Sequence, residues 1–168
     1  MASLVEILTV EHMSIRTMEV IRGSFDYDSF VAFRSYLKEC HIEIEEKICF
    51  PILETFQFPD AKAFSSKVER IKADHKLIDT LAVNIIRWTE DGKTEMLETR
   101  LPLFYKLLTE HNTKEENDLF PRWDLMDSEM LKSSSSDAMS IIDSFGRKEY
   151  MKIIGFNESS LSYFFGIE

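Results

Sequence analysis

Glycine and proline are scarce in this chain, five and four in 168 residues, and it has only two cysteines and four histidines. So few helix breakers leave long tracts of Leu, Ile, Met, Glu and Lys, which disfavours a turn-rich β fold and favours helix. No basic run appears, and the formal charge is −10. A nucleic-acid or anionic-membrane partner would need a concentrated basic surface, so both are disfavoured. No apolar run approaches the roughly eighteen residues of a membrane span, and the first residues, MASLVEILTVEH, lack a charged leader followed by a cleavage-like site. A cytoplasmic location is expected. If residues 40 to 49 are helical, Cys40 and Cys49 stand about 13.5 Å apart, twice the reach of a disulfide, and read as free thiols packed in a reducing compartment.

The remaining composition, 44% apolar and 30% charged, is ordinary for a globular domain long enough to bury a core. Four long helices are expected, each with one histidine. The first runs from an N-cap at Ser3 to Arg22, with Gly23 as its stop. The second runs from Asp26 or Asp28 to Phe56, where QFPD breaks it. The third follows a cap at Asp60 and runs to Thr89, before the turn signal EDG. The fourth runs from Thr94 to Trp123. Pro51 and Pro121 fall late in the second and fourth helices and are expected to kink or end them. On a 100° wheel centred on His75, Phe64, Val68, Ile71, Ala82 and Ile86 lie within about 40°, so His75 sits on an apolar face. His12, His41 and His111 are flanked in the same way. Four amphipathic helices with short connections imply an all-α, up-down-up-down four-helix bundle over residues 1–124. In residues 125–168 a serine run reads as a flexible joint, followed by a short helix capped by Ser136 or Asp137. The final stretch, with Tyr163, Phe164 and Phe165, has no usable periodicity; packing on the bundle is its simplest reading.

Two segments carry the chemistry. HIEIEEKICFP (41–51) and HNTKEENDLFP (111–121) share His, Glu, Glu, Phe and Pro at equal offsets. In each, the glutamate four residues after the histidine lies about 40° away on the same helical face, so His41 with Glu45, and His111 with Glu115, point inward together. The next residues, Glu46 and Glu116, lie a further 100° round and read as solvated or supporting groups. A weaker echo links EHMSIRTMEV (11–20) to DHKLIDTLAV (74–83), which share His, Ile, Thr and Val, with an acid before each histidine. The two halves of the bundle are thus expected to be related by a pseudo-twofold.

The inward set is His12, His41, Glu45, His75, His111 and Glu115. Four imidazoles and two carboxylates brought into an apolar core need a positive charge to face. The set exceeds the tetrahedral requirement of one zinc and has no thiolate, which makes zinc the weaker choice and suits two iron or manganese ions bridged by the glutamates. The Glu-x-x-His pairs of ferritin-like sites are absent, since Thr9, Lys38, Lys72 and Leu108 precede the histidines by three.

One histidine per helix, with HxxxE-E-x-x-x-F-P on the second and fourth, resembles a hemerythrin-like domain of the HHE cation-binding type over roughly residues 5 to 124. The resemblance implies a four-helix bundle with a non-haem di-iron centre, bridged by an oxo or hydroxo group and two carboxylates, on the same six residues. Oxygen-carrying members have a second histidine on the third helix; the corresponding places here are Ile71 and Asp79. Asp79 is either a substitute ligand or a surface carboxylate. Simple oxygen carriage is thereby disfavoured, and the resemblance implies binding or sensing of O2, a related small oxidant or iron. The alternatives are an enzyme acting on peroxide or nitric oxide, or a sensor signalling to a protein partner or second copy through residues 125–168.

Overall fold

The structure, a computed structural model, describes residues 2–21, 25–56, 58–123 and 125–155. It is all-α, and no strand occurs among the described residues. Helix α1 (Leu4–Ile21) opens as expected at Ser3. Ser3 Oγ accepts the Glu6 amide at 3.2 Å, and Glu6 Oε2 accepts the Ser3 amide at 2.7 Å, so two of the helix's free donors are satisfied reciprocally. Its expected stop at Gly23 lies outside the described residues.

A second helical arm runs from 27 to 55. It comprises α2 (Tyr27–Tyr36), a π-helical segment (Leu37–His41), α3 (Ile42–Ile44), a second π-helical segment (Glu45–Cys49) and α4 (Phe50–Thr55). Asp26 caps it by accepting the Ser29 amide at 2.9 Å. In the widened turns, the Ile42 amide donates to the Leu37 carbonyl and the Phe50 amide to the Glu45 carbonyl, five residues back. Pro51 follows directly. It has no N–H to offer Lys47 and its ring crowds that carbonyl, so the wide turn lets the arm pass the proline without breaking.

Helix α5 (Ala61–Glu90) is a single 30-residue helix. The expected cap role of Asp60 is not what the fold uses: its side chain caps nothing, because Arg122 grips it in a forked pair at 2.8 and 2.6 Å. The Arg122 guanidinium also covers the rings of Phe64 and Phe58, at 4.3 and 4.7 Å. Helix α6 (Thr94–Asp118) follows a turn at Gly92, whose φ of 67° suits glycine. It continues through Pro102 and ends just before Leu119. Pro121 lies in a separate turn, α7 (Phe120–Trp123).

The chain beyond residue 125 differs from expectation. The serine run is not a joint: α8 (Ser128–Phe145) passes straight through it, capped by Asp127 rather than Ser136 or Asp137. Ser134 and Ser135 are buried and return their hydroxyls to the Leu131 carbonyl at 2.8 and 2.9 Å. Small, self-satisfied side chains let α8 lie close on its neighbours. Gly146, at φ 110°, turns the chain into α9 (Arg147–Ile154). The α8–α9 hairpin packs on α1 and on the second arm, its π-helical segments included. Residues 156–168, with the aromatic triplet, lie outside the described residues.

Candidate metal centre

Each of the four histidines stands on a different long arm: His12 on α1, His41 on the second arm, His75 on α5 and His111 on α6. All four are buried, as are Glu45 and Glu115. The structure brings the six residues named from sequence into two adjoining clusters. His12, His41, Glu45 and Glu115 form one, and Glu45, His75, His111 and Glu115 the other; within each, one ligand atom per residue lies within 4.8 Å of the rest. The two carboxylates belong to both. Glu45 Oε1 faces His12 and His41 Nε2 at 3.7 and 3.4 Å, while its Oε2 faces His75 Nε2 at 3.2 Å. Glu115 Oε2 lies 3.5 Å from His12 and 3.4 Å from His111, and its Oε1 lies 3.9 Å from His75.

These inner atoms are unusual in what they lack. Both oxygens of Glu45 and of Glu115, and Nε2 of His12 and His41, are buried without a hydrogen-bond partner. Such groups are costly to leave unpaired in a core. Donors bound about 2.0–2.2 Å from one ion lie roughly 3 Å apart, near the spacings seen here. The donor set therefore fits a metal centre, with imidazole and carboxylate chemistry suited to first-row ions.

On their outer faces three of the histidines hydrogen-bond an acid, and the fourth faces one without bonding it. His12 Nδ1 meets Glu116 at 2.9 Å, His41 Nδ1 meets Glu11 at 2.7 Å and His75 Nδ1 meets Glu46 at 2.8 Å. The fourth link is looser, with His111 Nδ1 3.9 Å from Asp74. Each acid is the sequence neighbour of an inward residue on its own arm and reaches across to the next arm's histidine. An imidazole that donates Nδ1–H to a carboxylate aims the Nε2 lone pair inward and becomes the stronger donor for it. Glu46 and Glu116, left between solvated and supporting roles by the sequence, are supports. The same roles of Glu11 and Asp74 went unread, although the acid before the histidine in both echoes was the available signal.

The Phe of the repeated word has a matching task. Phe50 stacks on His75, with ring centroids 5.7 Å apart at 15°, and Phe120 stacks on His12 at 5.4 Å and 18°. Glu46 and Phe50 thus clamp one imidazole between them, and Glu116 and Phe120 another. Asp79 belongs to neither cluster: it pairs with Arg34 at 2.8 Å on the partly exposed side of α5. The two cysteines are buried free thiols, as expected.

Electrostatics follow from this crowding. Burial alone would lower the His75 pKa, but the Glu115 and Glu45 carboxylates override it and lift it to about 11. His12 and His41 are also raised, burial again being outweighed by the surrounding glutamates. Burial would raise Glu45 and Glu115, and Glu45 would further raise Glu115, yet the histidines hold both carboxyls below the usual range. Without metal the carboxylates therefore favour protons on His12, His41 and His75, and a cation entering the core competes with those protons.

Compared with known families, residues 3–123 match the model of the hemerythrin HHE cation-binding domain. The chain belongs to that family. No match was found among curated proteins or among solved structures. The hemerythrin HHE match ends at the close of α7, so α8 and α9 lie beyond the matched residues. No helix among the described residues is long and apolar enough to cross a membrane.

Proposed function

We propose that this hemerythrin HHE domain holds two iron ions in one buried centre, with His12, His41, His75 and His111 as nitrogen ligands and Glu45 and Glu115 shared between the ions. The single observation that carries this is the pair of clusters meeting at two common carboxylates whose oxygens have no other partner. Zinc would meet the same donors with a poorer match of number, and metal analysis separates iron from manganese, which the donor types also accept. Held by these six residues, a ferrous pair would offer reducing equivalents for binding or sensing O2 or a related small oxidant. The chain's own part is positional. Glu11, Glu46, Asp74 and Glu116 hold the imidazoles, while Phe50 and Phe120 wall the ligands from water. The four long arms are inferred to run up-down-up-down, residues 1–124 forming the metal-holding unit and 125–168 an extension whose helices α8 and α9 dock on it. Two free thiols support a reducing, cytoplasmic setting.

Anaerobic ferrous loading, with metal analysis and an optical spectrum before and after air, tests the reading. Two irons per chain and new charge-transfer absorption in air are expected. At most one bound metal, with no change in air, would contradict it. A second reading, a sensor that reports occupancy through its C-terminal helices, is favoured by one contact: Tyr150 of α9 donates to Glu11, which holds His41.

A further inference from the structure

Tyr150 lies outside the part of the chain that matches the family, yet its hydroxyl stands two hydrogen bonds from the candidate ligands. Helix α9 brings it there by burying the face that carries Tyr150, Met151, Ile153 and Ile154. Ser14 of α1 fixes the end of α9, donating to the Ile154 carbonyl at 2.8 Å. The Tyr150 hydroxyl donates to Glu11 Oε1 at 2.8 Å, and Glu11 Oε2 meets His41 Nδ1 at 2.7 Å. Glu11 is fully buried, so these two partners stand where water would otherwise be. A second buried tyrosine, Tyr36, lies beside Tyr150 with ring centroids 5.9 Å apart, but its hydroxyl has no partner. The two phenols share one core and differ in whether they touch the acid.

We propose that Tyr150 is a positioning residue of the metal centre, which makes the α8–α9 hairpin a working part of it. The hydroxyl orients Glu11, Glu11 orients the His41 imidazole, and metal binding and seating of the hairpin stabilise one another. The coupling is reciprocal: whatever the seated hairpin adds to metal affinity, the bound metal adds to the seating of the hairpin. This rests on the metal-centre reading above.

The test compares wild type, Tyr150→Phe and Tyr36→Phe in the full chain, with Co2+ as the probe. Each variant keeps its ring and loses one hydroxyl. Affinity is measured by chelator competition and the ligand field by visible absorption. Tyr150→Phe is expected to weaken Co2+ binding about tenfold and to shift the visible bands, whereas Tyr36→Phe stays within about twofold. Co2+ is also expected to slow proteolysis within α8–α9 in wild type, and to do so less in Tyr150→Phe. Equal Co2+ affinity and identical bands in the two variants would overturn the inference alone. So would a Tyr150→Phe chain that is less stable in both forms with unchanged affinity. A wild type that binds no Co2+ would overturn the metal reading and this inference with it.

Discussion

The two clusters use the same kinds of residue, yet their surroundings differ. Behind His41, Glu11 is 0% exposed and held by Tyr150; at the equivalent place behind His111, the Asp74 side chain is 27% exposed, 3.9 Å from the ring, and pulled outward by Lys114 at 2.6 Å. Behind His12, Glu116 is tied to Arg16 at 2.7 Å, and behind His75 the Glu46 side chain is 43% exposed. The repeated word and the weaker echo describe a centre with two like halves, and the helices after residue 125 break the likeness. A buried acid with two fixed partners is a rigid support. A partly exposed acid shared with a lysine is a soft one, because solvent and the lysine compete for each contact.

The largest expected effect removes what both halves share. Glu45→Ala or Glu115→Ala should reduce bound metal from two ions to at most one per chain, measured by metal analysis after desalting. Next comes the rigid support. Glu11→Ala leaves His41 Nδ1 and the Tyr150 hydroxyl buried and unpaired, and should lower the stability of the metal-free chain by about 2 kcal/mol in denaturant melts. Its metal affinity should fall about 10- to 100-fold. Glu46→Ala should cost roughly tenfold in affinity, and Asp74→Ala only about threefold, because its contact with the ring is already long. Equal losses for Glu11→Ala and Asp74→Ala would remove the asymmetry. Asp79→Ala should leave metal content unchanged.

A smaller effect is a pH profile of the metal-free chain. Arg16 and His12 hold Glu116 at about 2 against an ordinary 4.5, His12 contributing most, so its contribution is present above 4.5 and lost as pH falls toward 2. His75, lifted to about 11 from 6.5 because its glutamates outweigh burial, contributes fully below 6.5 and loses that contribution as pH rises through 11. Denaturant midpoints should therefore peak between about pH 4.5 and 6.5 and fall on both sides. Glu116 is partly exposed, so its own share of the acid limb is screened by solvent, while the buried Glu45 and Glu115 carboxyls, also held low, add to that limb. A midpoint that climbs steadily from pH 7 to 10 would contradict the His75 assignment.

Much of this was legible in the chain because local rules were obeyed. Ser3 with Glu6, and Asp26 with Ser29, cap where their spacing says they should, and the four histidines lie on buried stripes. The failures have physical causes. A wheel of constant period is blind to the two wide turns around His41 and Glu45, and on α5 Ile85 is fully buried while the expected Ile86 is only partly so. The serine run looked like a joint because exposed serine disfavours helix, whereas Ser134 and Ser135 are buried and bond to their own helix. Glu11 and Asp74 were missed as supports of the imidazoles, and Glu46 and Glu116 were left open between two roles, because each acid serves a different arm from its own. Glu46 and Glu116 lie beside ligands in sequence and act on His75 and His12 across the core. Tyr150 has no sequence signal, since 139 residues separate it from Glu11.

The central claim, two metal positions joined by two carboxylates, is tested most directly by anomalous scattering from crystals of the iron-loaded chain. Two iron peaks are predicted, one beside His12 and His41 and one beside His75 and His111, each in contact with both Glu45 and Glu115. A single peak, or iron away from these six side chains, would contradict it.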